Sequence, residues 1–214
     1  MDILSPKVVK QDPMALILSH TGSFDYTDTV FNVKMTDEQI LNSINTDRLT
    51  LNSWGKLKHY LIVLFLFITP ILFIYDFLKD LVNSSPKQMN LETFLFITVP
   101  SALGLFFYNL QSNRLKFKIV ETNLKRSELD NIIDQVATEL KWTIIKNDDQ
   151  IVEAKTYPSL LSGSWGEQIT ILFDNKRVLV NSICDLERRS SVASMGRNRK
   201  NTNRIIEEIE KVSR

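Results

Sequence analysis

The sequence predicts an α+β protein: a transmembrane helical hairpin joined to a two-layer cytosolic domain, in which two helices cover one face of an antiparallel sheet. Three observations predict it. Residues 60–75 and 93–113 are apolar runs without a charge. Residues after 140 fall into short alternating segments separated by Asn/Asp turns, the pattern of antiparallel strands. Two amphipathic helical patterns flank those segments, enough to cover one sheet face. The divisions are 1–58, an N-terminal cytosolic strand and helix segment; 59–112, the hairpin; and 113–214, the α+β domain.

In the first division, ALILS at 15–19 and TVFNVKM at 29–35 read as strands. Phe31, Val33 and Met35 alternate with polar neighbours, the period of a half-buried strand. Thr36 then opens T-D-E-Q, where a hydroxyl N-cap and Gln39 three residues later make a capping box. Ile40, Leu41 and Ile44 follow on one helical face. Asp47 to Lys58 leads to the first apolar run, with Trp54 and Gly55 near the interface.

Crossing a hydrocarbon core ~30 Å thick takes about 20 mostly apolar residues. The run 93–113 is long enough as it stands, and the run from Tyr60 is long enough when Asp76 snorkels to the interface. Neither has the polar face of a surface helix, and the chain is too small to wrap two helices that are apolar all round. Tyr60, Tyr75 and Tyr108 stand at segment ends, where the amphipathic ring prefers the headgroup layer. Pro70 and Pro100 each remove a backbone donor, and Thr69, Thr98 and Ser101 stand beside them to supply local hydrogen bonds. Ala102 and Gly104 permit close helix approach. No ionisable residue lies in either apolar interior, which favours a packed, kinked hairpin over a substrate path.

Positive residues prefer the cytosolic side of short flanks. Arg48, Lys56 and Lys58 precede the hairpin; Arg114, Lys116, Lys118, Lys125 and Arg126 follow it; the loop 79–92 holds only Lys79 and Lys87. Both termini are therefore expected in the cytosol, at a bacterial inner membrane. Residues 1–14 lack a secretory signal pattern, and Asp2 and the ending KVSR match no lipidation motif. The first apolar helix is expected to be the targeting signal.

In the third division, LKFKIVE at 115–121 alternates Leu115, Phe117 and Ile119 against lysines and reads as a strand leaving the membrane. Ser127 is placed to cap a helix whose apolar face is Leu129, Ile132, Ile133, Val136 and Leu140. Trp142–Lys146 and Ile151–Lys155 are strands around an Asn147-Asp148-Asp149 turn. Residues 156–166 form a loop. Gln168–Phe173 and Val178–Ile183 are strands around Asp174-Asn175. A final helix runs from about Asn198 to Val212, with Ile205, Ile206, Ile209 and Val212 inward.

Composition excludes several function classes. Lys plus Arg total 26 against 25 Asp plus Glu, a net charge of +1, unlike a nucleic-acid binder. At 43% apolar, the chain is not a disordered acidic protein. The one cysteine, Cys184, excludes a disulfide scaffold or Cys-rich zinc site and suits the packed end of a strand. His20 and His59 leave little for histidine chemistry. Walker, GxGxxG, HExxH, paired-Cys and GxSxG signatures are absent. Asp148 and Asp149 read as turn residues rather than paired carboxylates. The sequence nominates no catalytic residue, no metal ligand and no cofactor.

One stretch stands out. Residues 188–204, RRSSVASMGRNRKNTNR, hold Arg188, Arg189, Arg197, Arg199, Lys200 and Arg204 and no acid. A helix N-terminus supplies free N–H groups and partial positive charge. With Ser190, Ser191, Ser194, Gly196 and Asn198 beside Arg197, Arg199, Lys200 and Arg204, the segment suits a phosphate or carboxylate. The alternative is a solvated basic loop ending in an ordinary helix. RRSS also matches a basic-directed kinase site at Ser190 or Ser191. Trp165 in SGSWGE reads as a core residue closing the sheet edge, or else as an exposed anchor.

Asn181-Ser182, Ser194-Met195-Gly196-Arg197-Asn198 and Arg204-Ile205 resemble the closing strand, Gly-x-Asn turn and Arg-Ile helix of a bacterial membrane-associated domain family. The helix, tryptophan and strand at 126–146 are similar as well, and the likeness spans residues 115–212. The Arg-Arg-Ser-Ser loop departs from the tighter turn of that family. The resemblance implies a membrane setting and carries no mechanism.

The resulting expectation is a two-pass membrane protein that presents a cytosolic interaction domain to the bilayer surface, an anionic ligand or lipid headgroup, or a partner protein, and not to nucleic acid. The alternative is a membrane-embedded enzyme or transport subunit.

Overall fold

The capping box at Thr36 forms as its spacing predicts. The Gln39 amide donates to Thr36 Oγ1 at 3.3 Å, and the Thr36 amide donates to Gln39 Oε1 at 3.0 Å. This computed structural model describes residues 35–83, 90–158, 165–188 and 194–214. The strand expected at 15–19 and most of that at 29–35 lie outside the described residues. The chain divides into two compact units, Met1–Met35 and Thr36–Arg214, and every described helix and strand belongs to the second.

Helix α1 (Asp37–Thr46) buries Ile40 and Ser43, while Leu41 is exposed. Ser43 is the i+3 neighbour of Ile40, whereas Leu41 sits a quarter-turn or so away. The Ser43 hydroxyl is satisfied, because its Oγ accepts the Thr50 amide at 2.8 Å. Helix α2 (Ser53–His59) starts at Asn52, whose Oδ1 accepts the Gly55 amide.

Helices α3 (Leu61–Val82) and α4 (Leu91–Arg114) have 22 and 24 residues and are long and apolar enough to cross a membrane. At 1.5 Å per residue they span roughly 33 and 36 Å. They pack together along Gly104, where a Cβ would stand 2.8 Å from Phe67 Cε2. The missing side chain thus sets the closeness of the pair; Ala102 is exposed. Tyr60 meets Tyr108 and Phe73 stacks on Phe96, each pair with centroids 5.5 Å apart, as an antiparallel hairpin requires. Pro70 and Pro100 lie inside the helices. Thr98 and Ser101 donate to the carbonyls of Phe94 and Ile97, at 2.8 and 2.6 Å.

The strand expected from Leu115 starts later. Helix α4 runs to Arg114, and β1 is Lys118–Glu121. Leu115 and Phe117 point inward as their alternation predicts, but Ile119 is exposed and Val120 enters the core. The phase changes because the pairing partner changes. The Leu49 amide donates to Leu115 O at 2.7 Å and the Phe117 amide to Asp47 O at 3.0 Å, whereas residues 118–121 pair with a sheet strand.

Helix α5 (Arg126–Leu140) also departs from expectation at its start: Ser127 lies inside the first turn instead of capping it. The Lys125 amide is taken by Glu128 Oε2 at 2.7 Å. Arg126 is held by Asp130 at 3.0 Å and by the carbonyls of Asp148 and Asp149 at 2.7 and 2.8 Å. Its inward face is Leu129, Ile132, Ile133, Val136 and Ala137.

Strands β2 (Trp142–Asn147), β3 (Ile151–Thr156), β4 (Glu167–Asp174) and β5 (Arg177–Cys184) follow, then helix α6 (Arg197–Ser213). The five strands form one antiparallel sheet in the order β1-β5-β4-β3-β2. Because β1 and β2 are opposite edges, α5 crosses the sheet between them. Asp148 and Ile151 exchange backbone bonds of 2.9 and 3.3 Å across the β2–β3 turn.

One sheet face, with Val152, Ala154, Ile169, Ile171, Val178 and Val180, packs on α5 and α6. The other face is not bare. Ile151, Leu172, Leu179 and Ile183 point that way and are fully buried. On that side α1 meets β4, the end of α4 meets β5, and Arg177 pairs with Asp47 at 3.2 Å. Carbonyls at and just beyond the end of α4 take side-chain donors. Arg48 donates to Ser112 O at 2.5 Å, beside the Leu115 amide at 3.3 Å, and Asn181 Nδ2 donates to Arg114 O and Lys116 O at 2.9 Å each.

In α6, Ile205 and Ile209 are fully buried, Ile206 is half-buried, and Val212, expected inward, is 52% exposed. Ile205→Ala should lower unfolding stability by about 2–5 kcal/mol, and Val212→Ala should change it by no more than about 0.5 kcal/mol. Chemical denaturation in detergent, read by far-ultraviolet circular dichroism, compares the two; equal losses would refute this facing.

Candidate functional site

Helix α6 starts from two left-handed residues, Met195 at φ 47° and Gly196 at φ 81°. Nothing lies within 4 Å of where a Gly196 Cβ would stand, so backbone conformation rather than space calls for glycine here. Ser194, buried, closes the turn. Its carbonyl accepts the Arg197 amide at 2.9 Å and its Oγ accepts the Asn198 amide at 3.4 Å, while the Lys200 amide bonds Gly196 O at 2.9 Å. The first-turn amides that suit an anion are therefore largely used within the chain. Positive side chains are what the segment offers outward.

A buried polar chain pins this end of α6 to the sheet. Trp142 Nε1 donates to Asn201 Oδ1 at 3.2 Å, Asn201 Nδ2 donates to Ser182 Oγ at 3.2 Å, and Ser182 Oγ donates to Asn198 Oδ1 at 3.1 Å. Such groups are tolerated in an interior because each finds a partner. Cys184 packs at the end of β5, with Asn198 Nδ2 3.9 Å from its sulfur.

Beside this chain lies a cleft of about 180 Å³, lined by Lys141, Thr156, Tyr157, Glu167, Arg197 and Lys200. Lys141 comes from the left-handed residue that ends α5, at φ 57°. Glu167 is almost wholly buried at the start of β4. The Thr156 hydroxyl donates to its carboxylate, its amide donates to Thr156 Oγ1 at 2.9 Å, and the Arg197 guanidinium stands 3.8 Å away. A carboxylate at that depth needs such company. The cleft thus sets three cations against one carboxylate, and Lys141 and Lys200 are exposed at its mouth.

Of the residues singled out in the basic segment, Arg197 and Lys200 line this cleft, and Ser194, Gly196 and Asn198 build the turn that presents them. Arg199 is exposed and is not part of the lining. Ser190 and Ser191, and with them the RRSS kinase motif, lie outside the described residues. Arg204 goes elsewhere: its Nε lies 3.0 and 2.9 Å from the two oxygens of Glu139, and its Nη1 binds Glu208. The hydrogen bond to Glu139 holds the Arg204 guanidinium above its ordinary pKa and Glu139 below its own. Trp165 is 39% exposed rather than closing the core. Its carbonyl accepts Arg188 at 3.2 Å, and that guanidinium lies over the Tyr157 ring at 4.7 Å.

Lys141, Thr156, Tyr157 and Glu167 were not singled out from the sequence. Glu167 did leave a signal, because it is in phase with Ile169 and Ile171 on the core-facing side of its strand. An acid in that register needs a buried partner.

A second ion cluster sits at the other side of the sheet's end, where Lys155 lies 3.3 Å from Asp185 and bonds Glu187. Burial favours the neutral amine, but the Glu187 hydrogen bond and the two carboxylate charges outweigh it, so the Lys155 pKa stands above 10.5. A lysine whose folded pKa is raised contributes stability throughout the range below its ordinary value and loses it as pH climbs through the folded value. Lys155→Met should therefore be less stable than the parent at neutral pH, with the gap narrowing in strongly alkaline solution. Thermal unfolding followed from neutral to alkaline pH tests this, and a constant gap would contradict it.

No family model, curated protein or solved structure matches the chain.

Proposed function

We propose that the chain is a two-pass membrane protein that holds an α+β binding module at the cytosolic face of a bacterial inner membrane, and that the cleft beside α6 takes a small phosphate-bearing ligand. The observation that carries the membrane reading is exposure. Only 11% and 6% of the most apolar stretches of α3 and α4 are buried by the rest of the protein. A core helix of a soluble protein is mostly covered, whereas a contiguous apolar surface of this size calls for lipid or another apolar cover. The basic residues that flank the hairpin, against two in its loop, support the cytosolic side for the module. The apolar interiors hold no ionisable side chain, and no observation favours an embedded enzyme or transport subunit.

The ligand reading rests on Lys141, Arg197 and Lys200 around one cleft, three cations against the single carboxylate of Glu167. The Arg197 guanidinium supplies a hydrogen-bonding fork and the two lysines supply point charges, and both suit phosphate. The cleft is below the ~300–1,000 Å³ of pockets for drug-sized molecules, so the ligand is a phosphate with a short substituent, free or on a lipid.

Topology is tested by labelling intact spheroplasts with an impermeant maleimide. Asn83→Cys should react, and Arg214→Cys should react only after lysis; the reverse pattern would invert the orientation. For the ligand, full-length protein in lipid nanodiscs is titrated with glycerol phosphate in neutral discs and compared with discs of anionic phospholipid. Arg197→Ala with Lys200→Ala should weaken the response by about tenfold or more, given ~1.5–3 kcal/mol per charged hydrogen bond, and Arg199→Ala should leave it unchanged. A response to glycerol phosphate identifies a free ligand, and one confined to anionic discs identifies a headgroup. No response in either, or none lost in the double variant, removes the cleft from the proposal.

A further inference from the structure

We infer that α2 lies in the headgroup layer of the leaflet that α3 enters, anchored there by Trp54 and Leu57. This rests on the membrane-spanning reading of α3. Helix α2 has two unlike faces. Gly55 and His59, at i and i+4, are buried. A Cβ on Gly55 would meet Leu186 Cδ1 at 3.5 Å, and His59 is hydrogen-bonded to the α4 backbone. Trp54 and Leu57 point the other way, and Trp54 is 61% exposed.

The exposed apolar surface does not end with α2. Trp54 and Leu57 on α2 are followed by Leu61, Phe65 and Ile68 on α3, which starts directly after the turn at Tyr60, and all of them are exposed. Exposed apolar side chains therefore begin seven residues before α3 does. A surface that is continuous with the lipid-facing surface is covered by the same bilayer. The residue types suit its edge. An indole ring belongs at headgroup depth, and Lys58 Nζ lies 5.5 Å from the centre of the Trp54 ring. The short turn at Tyr60 gives α2 its own start and end, so the anchor is a separate element from the span.

The test uses full-length protein in vesicles of equimolar phosphatidylcholine and phosphatidylglycerol whose acyl chains carry bromine either near the headgroup or near the chain end. The emission of the parent minus that of Trp54→Phe isolates Trp54, and this exposed position tolerates phenylalanine. Shallow bromines should quench the Trp54 component strongly and deep bromines weakly. If the protein floats with the vesicles but that component escapes both sets, the anchor is wrong and the spanning hairpin stands. Shielding of the same component from aqueous acrylamide would then point to a protein partner. If the protein does not float, the spanning reading falls and the anchor falls with it.

Discussion

Where the apolar hairpin meets the folded domain, His59 and Gln111 satisfy each other. His59 Nε2 donates to the Gln111 carbonyl at 3.0 Å, and Gln111 Nε2 donates to the His59 carbonyl at 2.8 Å. Arg114 Nη1 takes the remaining Gln111 oxygen at 3.1 Å. Both side chains are buried, and leaving a donor or acceptor open at that depth costs about 1–3 kcal/mol. The pair is therefore satisfied at one register of α2 against α4, which sets how the hairpin emerges. The adjoining carbonyls of α4 go to Arg48 and to Asn181 of β5. The helix end that would be left open is closed by the sheet, so the hairpin and the domain share a polar seam in place of a flexible linker.

Strong periodicity was legible in the sequence. The inward face of α5, the hairpin strands and the two apolar helices follow from spacing alone. What escaped were the points at which the chain changes partner. Residues 115–121 read as one strand because their alternation is unbroken in sequence, yet the first part pairs with 47–49 and the rest with β5. Ser127 had the right chemistry for a cap, but Arg126 found Asp130 and two carbonyls in the β2–β3 turn, contacts that no local rule anticipates. The covered second face had a sequence trace that alternation rules overlook: ILF in β4 and VLV in β5 are continuous apolar runs, which are typical of strands buried on both sides.

The basic segment shows what a charge count leaves out. Six cations without an acid in 188–204 suggested one anion site, but the acids that meet them come from elsewhere in the chain. Glu167 of β4 faces Arg197, and Glu139 of α5 and Glu208 of α6 hold Arg204. Only the fold shows which positive charges face acids of the chain and which open onto a cleft. It also brings in Lys141, a residue that ends a helix far from the segment in sequence and borders it in space.

The strand order imposes a sequence of events on a chain made from its N-terminus. Strand β1 leaves the ribosome first, yet its neighbour in the sheet is β5, so Lys118 waits for Val180 roughly sixty residues later, and pairing across such a separation is slow. The meander from β2 to β5 needs only local turns and can zip up by itself. The sheet is thus completed at the edge that follows α4, once the meander from β2 to β5 offers β5 as its partner.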